Sequence, residues 1–492
     1  MTHPHARTAS AAVLLAALAL GACNPAPAEP VAIALTPCRL ASPGLPQRVP
    51  AECGWFDVPS DRTTGQGTIA LHVAVVRAVS RKAAGDAVFL LAGGPGQAAT
   101  EAYAIMASAL APLARQRDIV LVDQRGTGRS SPLDCPDDEP RTAAGVNAAA
   151  VAQAVATCRA GLSVDPAPYT TREAVADLDA VRAALGYEAV DLVGISYGTR
   201  VAQSYARAHP SRTRAMILDG VVPQDLALGA DMAAASQRAL DAVLARCAGD
   251  AGCRQAFGDA RETLRVLGVR AAAGEVVELA EPTSAERVTV TLSADVVDVV
   301  TRFMLYAPET AALLPLLYDL AGRKDEPEPL AAQFLTLTED LSRTISHGMA
   351  YSVLCSEDVP FYDAEAVAAS NRGTYLGDMV TAGLAAACEV WPVPPAPAAF
   401  KAPLACDAPT LLLSGAIDPV TPPAYGERVL AGLARGRHLV APGQGHGVLA
   451  RGCMPRLAAT FLDDLQPADL DAACLGDLRP APFFLRLAGP TP

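Results

Sequence analysis

Charged residues are scarce in this sequence, and basic residues are the scarcer kind. Charged side chains make up 18% of the 492 residues, against 51% that are hydrophobic, which excludes an intrinsically disordered chain. A globular chain of this length can hold more than one domain. Lys and Arg number 39 against 52 Asp and Glu, so the net charge is −13. We therefore expect no nucleic-acid partner, because such partners require basic surfaces.

Cysteine pairs at metal-binding or redox spacing are also missing. None of the 12 cysteines forms a Cys-x-x-Cys motif, so we expect neither a zinc site nor a redox motif. Without Cys23, the rest suit five disulfides and one free thiol in an oxidising compartment. The sequence does not determine the connectivity. Pairing near neighbours predicts the bridges Cys38–Cys53, Cys135–Cys158, Cys247–Cys253, Cys355–Cys388 and Cys453–Cys474, with Cys406 left over and buried.

No segment has the length and apolarity of a permanent membrane span. The apolar run at 11–20 is short, follows Arg7 and ends in Leu20-Gly21-Ala22-Cys23, which resembles a bacterial lipoprotein signal. We predict a signal peptide at 1–22, lipidation of Cys23 and a Pro/Ala-rich tether at 23–37. The alternative is an ordinary secretory signal with a coincidental cysteine. The prediction is a protein exported to the bacterial cell envelope, whose only membrane contact is this lipid anchor.

A candidate nucleophile lies in the motif Gly194-Ile195-Ser196-Tyr197-Gly198. An apolar strand begins at Val190, and a helical pattern follows the motif and stops at Pro210. A strand, a tight turn and a helix are the context in which a serine hydroxyl projects from a sheet edge. We predict Ser196 as the nucleophile and the Tyr197 amide as one oxyanion donor. The alternative is a serine with a purely structural role in a turn.

A second oxyanion element follows an earlier strand. The apolar strand at 87–91 runs into Ala92-Gly93-Gly94-Pro95-Gly96, whose backbone amides can converge on an anion. We predict the Gly93–Gly94 turn as the second donor, the alternative being a plain turn.

The predicted acid and base come much later in the chain. Asp418 follows an apolar strand at 409–414, and His446 lies between glycines after the last strand, at 437–440. The order Ser196, Asp418, His446 is that of the α/β-hydrolase triad. The alternating strands and helices predict an α/β fold, with a mostly parallel sheet flanked by helices.

This alternation of strands and helices stops between the nucleophile and the acid. Helical periodicities and one hairpin, at 275–292, occupy this inserted segment (residues 222–404), which we predict to be a mainly helical lid. The hydrolase core is then predicted in two parts, at 38–221 and 405–492.

Three motifs together resemble those of the proline iminopeptidase and tripeptidyl aminopeptidase family, which are serine exopeptidases with an α/β-hydrolase fold. They are Gly93-Gly94-Pro95-Gly96, Asp123-Gln124-Arg125-Gly126-Thr127-Gly128-Arg129-Ser130 and Gly194-Ile195-Ser196-Tyr197-Gly198. The resemblance covers residues 85–220 and 405–475, and it departs from the family where Ala92 replaces a common His. It implies a peptide substrate with a free N-terminus and no metal or organic cofactor. We interpret Asp123 and Arg125 as an ion pair that braces their loop.

Members of this family bind the substrate's α-amino group through acidic lid residues. Glu357, and after it Asp358, are our candidates, the alternative being solvated loop charges. Two other functions stay open: a carboxylesterase acting on lipidic or small esters, and a non-catalytic envelope binding protein.

Overall fold

The computed structural model describes residues 1–2, 32–135 and 148–489. Residues 3–22 of the predicted signal peptide, Cys23 and most of the tether lie outside these residues. The strands of the described part are β1 (Thr36–Leu40), β2 (Val49–Pro59), β3 (Thr68–Val76), β4 (Ala87–Leu91), β5 (Asp118–Val122), β6 (Val190–Ile195), β7 (Thr213–Asp219), β8 (Glu275–Ala280), β9 (Arg287–Leu292), β10 (Thr410–Gly415) and β11 (Gly436–Ala441).

Helices separate these strands. They are α1 (Ala99–Met106), α2 (Ala111–Ala114), α3 (Ala148–Gly161), α4 (Thr171–Ala184), α5 (Tyr197–Ala208), α6 (Met232–Gly249), α7 (Ala251–Phe257), α8 (Ala260–Ala271), α9 (Ala294–Met304), α10 (Pro308–Ala311), α11 (Leu314–Arg323), α12 (Glu328–Thr344), α13 (His347–Glu357), α14 (Ala364–Asn371), α15 (Met379–Val390), α16 (Pro423–Leu430) and α17 (Met454–Asp464).

The described residues contain one nine-stranded sheet, in the order β1-β2-β3-β5-β4-β6-β7-β10-β11. β1, β2 and β3 are antiparallel to their neighbours, and the strands from β5 to β11 in this order pair in parallel. β4 is apolar at every position because it is buried on both faces. Phe89 faces one hydrophobic core of the sheet, and Val88 and Leu90 face the other. The predicted mostly parallel α/β fold is confirmed.

The strand order places one crevice at a defined point of the sheet. After β4 the chain moves to one side to form β5, and it then returns to the other side of β4 to form β6. The loops that follow β4 and β6 therefore lie next to each other at the carboxyl edge. In open α/β sheets ligands bind at such a reversal point.

The inserted segment (residues 222–404) consists mainly of helices and contains one two-stranded hairpin, formed by β8 and β9. Its helices pack around a hydrophobic core of their own, which includes Val300, Leu317 and Phe334. The segment touches the hydrolase loops directly, since the amide of Ser346 donates to the carbonyl of Gly96 at 3.0 Å.

The five predicted disulfides are confirmed. The bridges are Cys38–Cys53, Cys135–Cys158, Cys247–Cys253, Cys355–Cys388 and Cys453–Cys474. Cys406 is free, as predicted, but it is half-buried where we expected full burial. Cys38–Cys53 joins the antiparallel strands β1 and β2, and Cys247–Cys253 joins the successive helices α6 and α7.

Asp123 and Arg125 do not pair with each other, which corrects the sequence-based interpretation. Both side chains are fully buried. Asp123 contacts His72 Nδ1 at 3.0 Å and accepts from the Thr100 hydroxyl at 2.8 Å. Arg125 donates from Nε to Asp177 at 2.7 Å. Asp123 thus contacts β3 and α1, whereas Arg125, two residues later, contacts α4.

The described residues contain neither a candidate membrane span nor a candidate metal cluster. No helix in this part of the chain has the length and apolar character needed to cross a membrane. Within the same residues, no group of three or more His, Cys, Asp or Glu side chains is placed to hold a metal ion.

Candidate active site

Ser196 occupies a strained turn between β6 and α5. Its φ of 56° lies in the left-handed region, which residues other than glycine rarely adopt. Both flanking glycines are required by close backbone packing. A Cβ on Gly194 would collide with the carbonyl of Gly198, and a Cβ on Gly198 with the carbonyl of Leu91. The turn therefore has the geometry of a nucleophile elbow, which exposes the serine hydroxyl above the sheet.

The predicted oxyanion residues lie on two sides of this serine. The β4–β6 register pairs Leu91 with Gly194, so the loop after β4 runs beside the elbow. A Cβ built on Gly93 would lie 3.0 Å from the Ser196 Cβ. Tyr197 is the first residue of α5, and the first amides of a helix have no intrahelical acceptor. The loop after β4 and the start of α5 thus lie on either side of Ser196.

His446 and Asp418 are in direct contact. The Nδ1 atom of His446 lies 2.8 Å from Oδ2 of Asp418, which is 2% exposed. The other oxygen of Asp418 accepts from the amides of Val420 and Thr421 at 2.9 and 2.8 Å. The Thr421 hydroxyl donates to Oδ2 at 2.8 Å and lies 3.0 Å from His446 Nδ1. Asp418 and Thr421 thus both contact the imidazole at its Nδ1 atom.

Burial and charge act on this imidazole in opposite directions. Desolvation lowers the pKa of His446, since burial disfavours the charged ring. The charge and the hydrogen bond of Asp418, together with the charge of Asp219, outweigh this effect and raise the pKa above its usual value. The neighbouring carboxylates therefore favour the protonated form of this ring.

The end of β7 joins the serine to the histidine. The amide of Ser196 donates to the carbonyl of Asp219 at 2.8 Å. A Cβ on Gly220, the next residue, would lie 3.0 Å from Cε1 of His446. The Asp219 carboxylate accepts from the amides of Val448 and Leu449, at distances of 2.8 to 2.9 Å, and so fixes the loop that carries His446. The structure thus brings Ser196, Asp418 and His446 to one edge of the sheet.

Sequence reasoning missed three residues of this site. Thr421 orients Asp418, and its spacing of three residues after an Asp is a turn signal that could have identified it. Asp219 is a carboxylate at the end of a buried strand, which is an unusual position for a charge. Tyr306 comes from the inserted segment: its carbonyl accepts from the His446 amide at 2.8 Å, and its ring lies edge-on to the imidazole, 5.2 Å away. Nothing in the sequence connects Tyr306 with His446.

Glu357 lies behind the elbow in a buried network. It is 1% exposed, and its two oxygens accept from the amide and the hydroxyl of Thr171, each at 2.7 Å. The Thr171 hydroxyl also contacts the Tyr197 hydroxyl at 2.6 Å. Burial raises the pKa of Glu357 to about 7, although the nearby Arg200 charge opposes this shift. Two hydroxyl groups therefore connect this carboxyl to the residue that follows the nucleophile.

Asp358 has partners other than the substrate amine predicted for it. It is fully buried and accepts from Arg200 at 2.8 and 3.0 Å. The Leu228 amide and Lys401 Nζ also donate to it, at 2.8 and 3.1 Å. Through these contacts the charge of Asp358 holds α5 against the inserted segment.

Two family models match this chain. A model of the α/β-hydrolase fold matches residues 86–254, and a model described as TAP-like protein matches residues 374–474, so together they cover more than half of the chain. The serine protease Hip1 of Mycobacterium tuberculosis is 29% identical over 473 residues, which are 87% of this chain and 88% of that protein.

Two further relatives match shorter stretches. The tripeptidyl aminopeptidase of Streptomyces coelicolor is 31% identical over 192 residues, 35% of each chain. The proline iminopeptidase of Neisseria gonorrhoeae is 30% identical over 103 residues, which are 21% of this chain and 24% of that enzyme. With the Gly-x-Ser-x-Gly elbow and the sheet that carries it, these matches show that the chain belongs to the proline iminopeptidase and tripeptidyl aminopeptidase family of serine peptidases with an α/β-hydrolase fold.

Proposed function

We propose that this protein is an exported serine aminopeptidase that cleaves short pieces from free peptide N-termini through a triad of Ser196, His446 and Asp418. The observation that carries the proposal is the 2.8 Å contact between His446 and Asp418, at the sheet edge where the strained Ser196 turn projects. The order of the three residues in the chain supports the same assignment. So do the peptidase activities of the related proteins named above.

In this mechanism His446 first acts as a general base. It accepts the Ser196 proton at Nε2 while Oγ attacks the substrate carbonyl, and it then donates that proton to the leaving amine. Asp418 holds the Nδ1 proton and stabilises the imidazolium that forms. The resulting acyl-enzyme is hydrolysed by water, which His446 activates in the same way.

The developing oxyanion is bound by backbone amides from the two loops next to Ser196. Tyr197 supplies one donor and the Gly93–Gly94 turn the other, and each such donor contributes about 3 kcal/mol to lowering the barrier. The strained φ of Ser196 keeps the hydroxyl and the Tyr197 amide in fixed relation.

The free N-terminus of the substrate is bound on the acyl side of the site, and Glu357 is the group we assign to it. Its carboxyl is linked through Thr171 to Tyr197, so it lies beyond the residue that follows the nucleophile. The inserted segment acts as the lid that carries this group and limits how much of the chain can enter, while residues 38–221 and 405–492 form the hydrolase core.

Cys23 anchors the protein by lipidation after removal of residues 1–22, and residues 23–37 act as the tether. The small residues before Cys23 support this assignment. The five disulfides support an oxidising compartment outside the cytoplasm.

Replacing the nucleophile tests the chemistry. We expect Ser196→Ala to reduce kcat for a tripeptidyl p-nitroanilide by roughly 10⁴-fold or more, and to abolish labelling by a fluorophosphonate probe. The control is Ser211→Ala, an exposed serine just beyond α5. Labelling of the Ser196→Ala variant, or turnover of small esters without any turnover of peptides, would contradict the proposal.

The pH profile tests the role of His446. Only the neutral imidazole accepts a proton, so kcat/KM falls as the pH drops through the pKa of His446. Because Asp418 raises this pKa, we expect the acid limb above the ordinary histidine value of about 6.5. Asp418→Asn removes the main cause of the upward shift and is expected to move the limb to lower pH, with a rate loss of about 10⁴-fold. An acid limb unmoved by this substitution would exclude His446 as the titrating base.

The preference for free N-termini tests Glu357. Wild-type protein is expected to hydrolyse free-amine peptides roughly 100-fold faster than acetylated ones, since the contact is charge-assisted. Glu357→Gln should remove most of this ratio while fluorophosphonate labelling continues. Glu278→Gln, at an exposed glutamate of the β8–β9 hairpin, is the matched control. Equal rates on free and acetylated peptides by the wild-type protein would rule out an aminopeptidase.

Mass spectrometry of the mature N-terminus tests the anchor. We expect acylated Cys23 as the first residue, and we expect Cys23→Ser to release the protein from the membrane fraction. Cys406→Ser, which removes the free thiol of the described residues, is the control. A mature N-terminus without lipid would favour the ordinary secretory signal instead.

A further inference from the structure

Arg302 is a half-buried cation without a carboxylate partner among the described residues. It lies on α9, one turn before Tyr306. Its Nη2 atom lies 3.0 Å from the Met232 sulfur and 3.5 Å from the Tyr306 hydroxyl, and its guanidinium stacks 4.5 Å from the Phe303 ring centre. Its Nε atom is inaccessible to solvent and has no hydrogen-bond partner in the described part of the chain. Among the described residues, the contacts of this charge are thus with a thioether, a phenol hydroxyl and an aromatic ring.

The surrounding acidic groups do not neutralise Arg302. Asp298 lies one turn earlier on the same helix, but no ion pair joins the two side chains in the described structure. Burial and the charge of Asp295 raise the pKa of Asp298 to about 7, so this carboxyl is partly neutral at neutral pH. By contrast, Arg200 and Arg125, which are also buried, each pair with an aspartate. Burial of an unpaired charge is unfavourable unless an anion reaches it.

The position of Arg302 relative to the triad indicates which part of a substrate it faces. Tyr306 contacts the guanidinium through its hydroxyl and contacts His446 through its ring edge and its carbonyl. The charge of Arg302 is also close enough to act against the upward pKa shift of His446. His446 gives its proton to the leaving amine, so the amine fragment that departs as the acyl-enzyme forms passes this side of the site.

We propose that Arg302 binds a carboxylate of the leaving fragment, and that the enzyme therefore prefers peptides with a negative charge close after the scissile bond. This inference rests on the proposed function, since it needs a peptide and a leaving amine. The carboxylate is either the C-terminus of a short substrate or an acidic side chain. A planar guanidinium can form the same bidentate hydrogen bonds with both.

Matched peptides separate the two sources. The first pair is a free-amine tetra-alanine that ends in a carboxylate or in an amide, so that only the charge after the third peptide bond changes. The second pair carries aspartyl amide or asparaginyl amide as the fourth residue. We expect kcat/KM to favour the charged member of at least one pair by roughly tenfold, as for a charge-assisted contact.

Arg302→Gln is expected to reduce that ratio to about one, and Arg302→Lys to retain part of it. Both members of a pair use the same His446, so a change in the pKa of His446 cancels in the ratio. Arg287→Gln, which removes an exposed arginine of the β8–β9 hairpin, should leave the ratio unchanged. If Arg302 only fastened α9 to Met232 and Phe303, its replacement would slow both members of each pair equally.

Two results would overturn the inference: equal rates on charged and neutral members with the wild-type protein, or a wild-type ratio preserved in Arg302→Gln. Hydrolysis of a tripeptidyl p-nitroanilide, which has an uncharged leaving group, is measured in parallel. If that substrate is cleaved and no charge preference appears, the inference fails while the proposed peptidase function stands. If no peptide or anilide is cleaved, the proposed function itself fails.

Discussion

The site depends on one buried corner at the end of β7. There the Asp219 carbonyl accepts from the amide of Ser196, while its carboxylate accepts from two amides of the loop that carries His446. Burial raises the pKa of Asp219 to about 6, although the hydrogen bonds from Val448 and Leu449 oppose the shift. A single residue thus joins two loops that are more than 200 residues apart in the sequence. This junction therefore couples the position of the loop that carries His446 to that of Ser196.

The inserted segment contributes contacts to the site itself. Tyr306 binds the backbone of His446, Ser346 binds the loop after β4, and Glu357 approaches Tyr197 through Thr171. Buried charges, among them the Arg200–Asp358 pair, hold this segment against α5. A buried ion pair adds little net stability, but removing one partner is costly, so it penalises any displacement of the two elements. Our assignments give the segment a negative group on the acyl side and a positive group on the leaving side, which would orient a peptide carrying both terminal charges.

Much of the fold could be predicted from the sequence because local rules determine it. The strand β4 has the bounds that its apolar run predicted, because it is buried on both faces. The near-neighbour disulfides were also correct, since chain proximity favours them. The pairing of Asp123 with Arg125 was wrong, because closeness in sequence does not determine which way two loop side chains point. The same holds for Asp358: the sequence shows its charge, but it does not show that this charge is buried against Arg200.

The sequence by itself determined the order of strands and helices, the glycines of the elbow and the chemical types of the groups in the site. These features follow from periodicity, from backbone sterics and from motif spacing, all of which act over a few residues. Only the tertiary structure decided which groups meet. The contacts of Asp219 with the loop of His446, of Thr421 with the imidazole, and of Tyr306 with both His446 and Arg302 join distant segments. They form because the parallel strands end at one edge and the inserted segment folds back over it, and no local pattern in the chain records that approach.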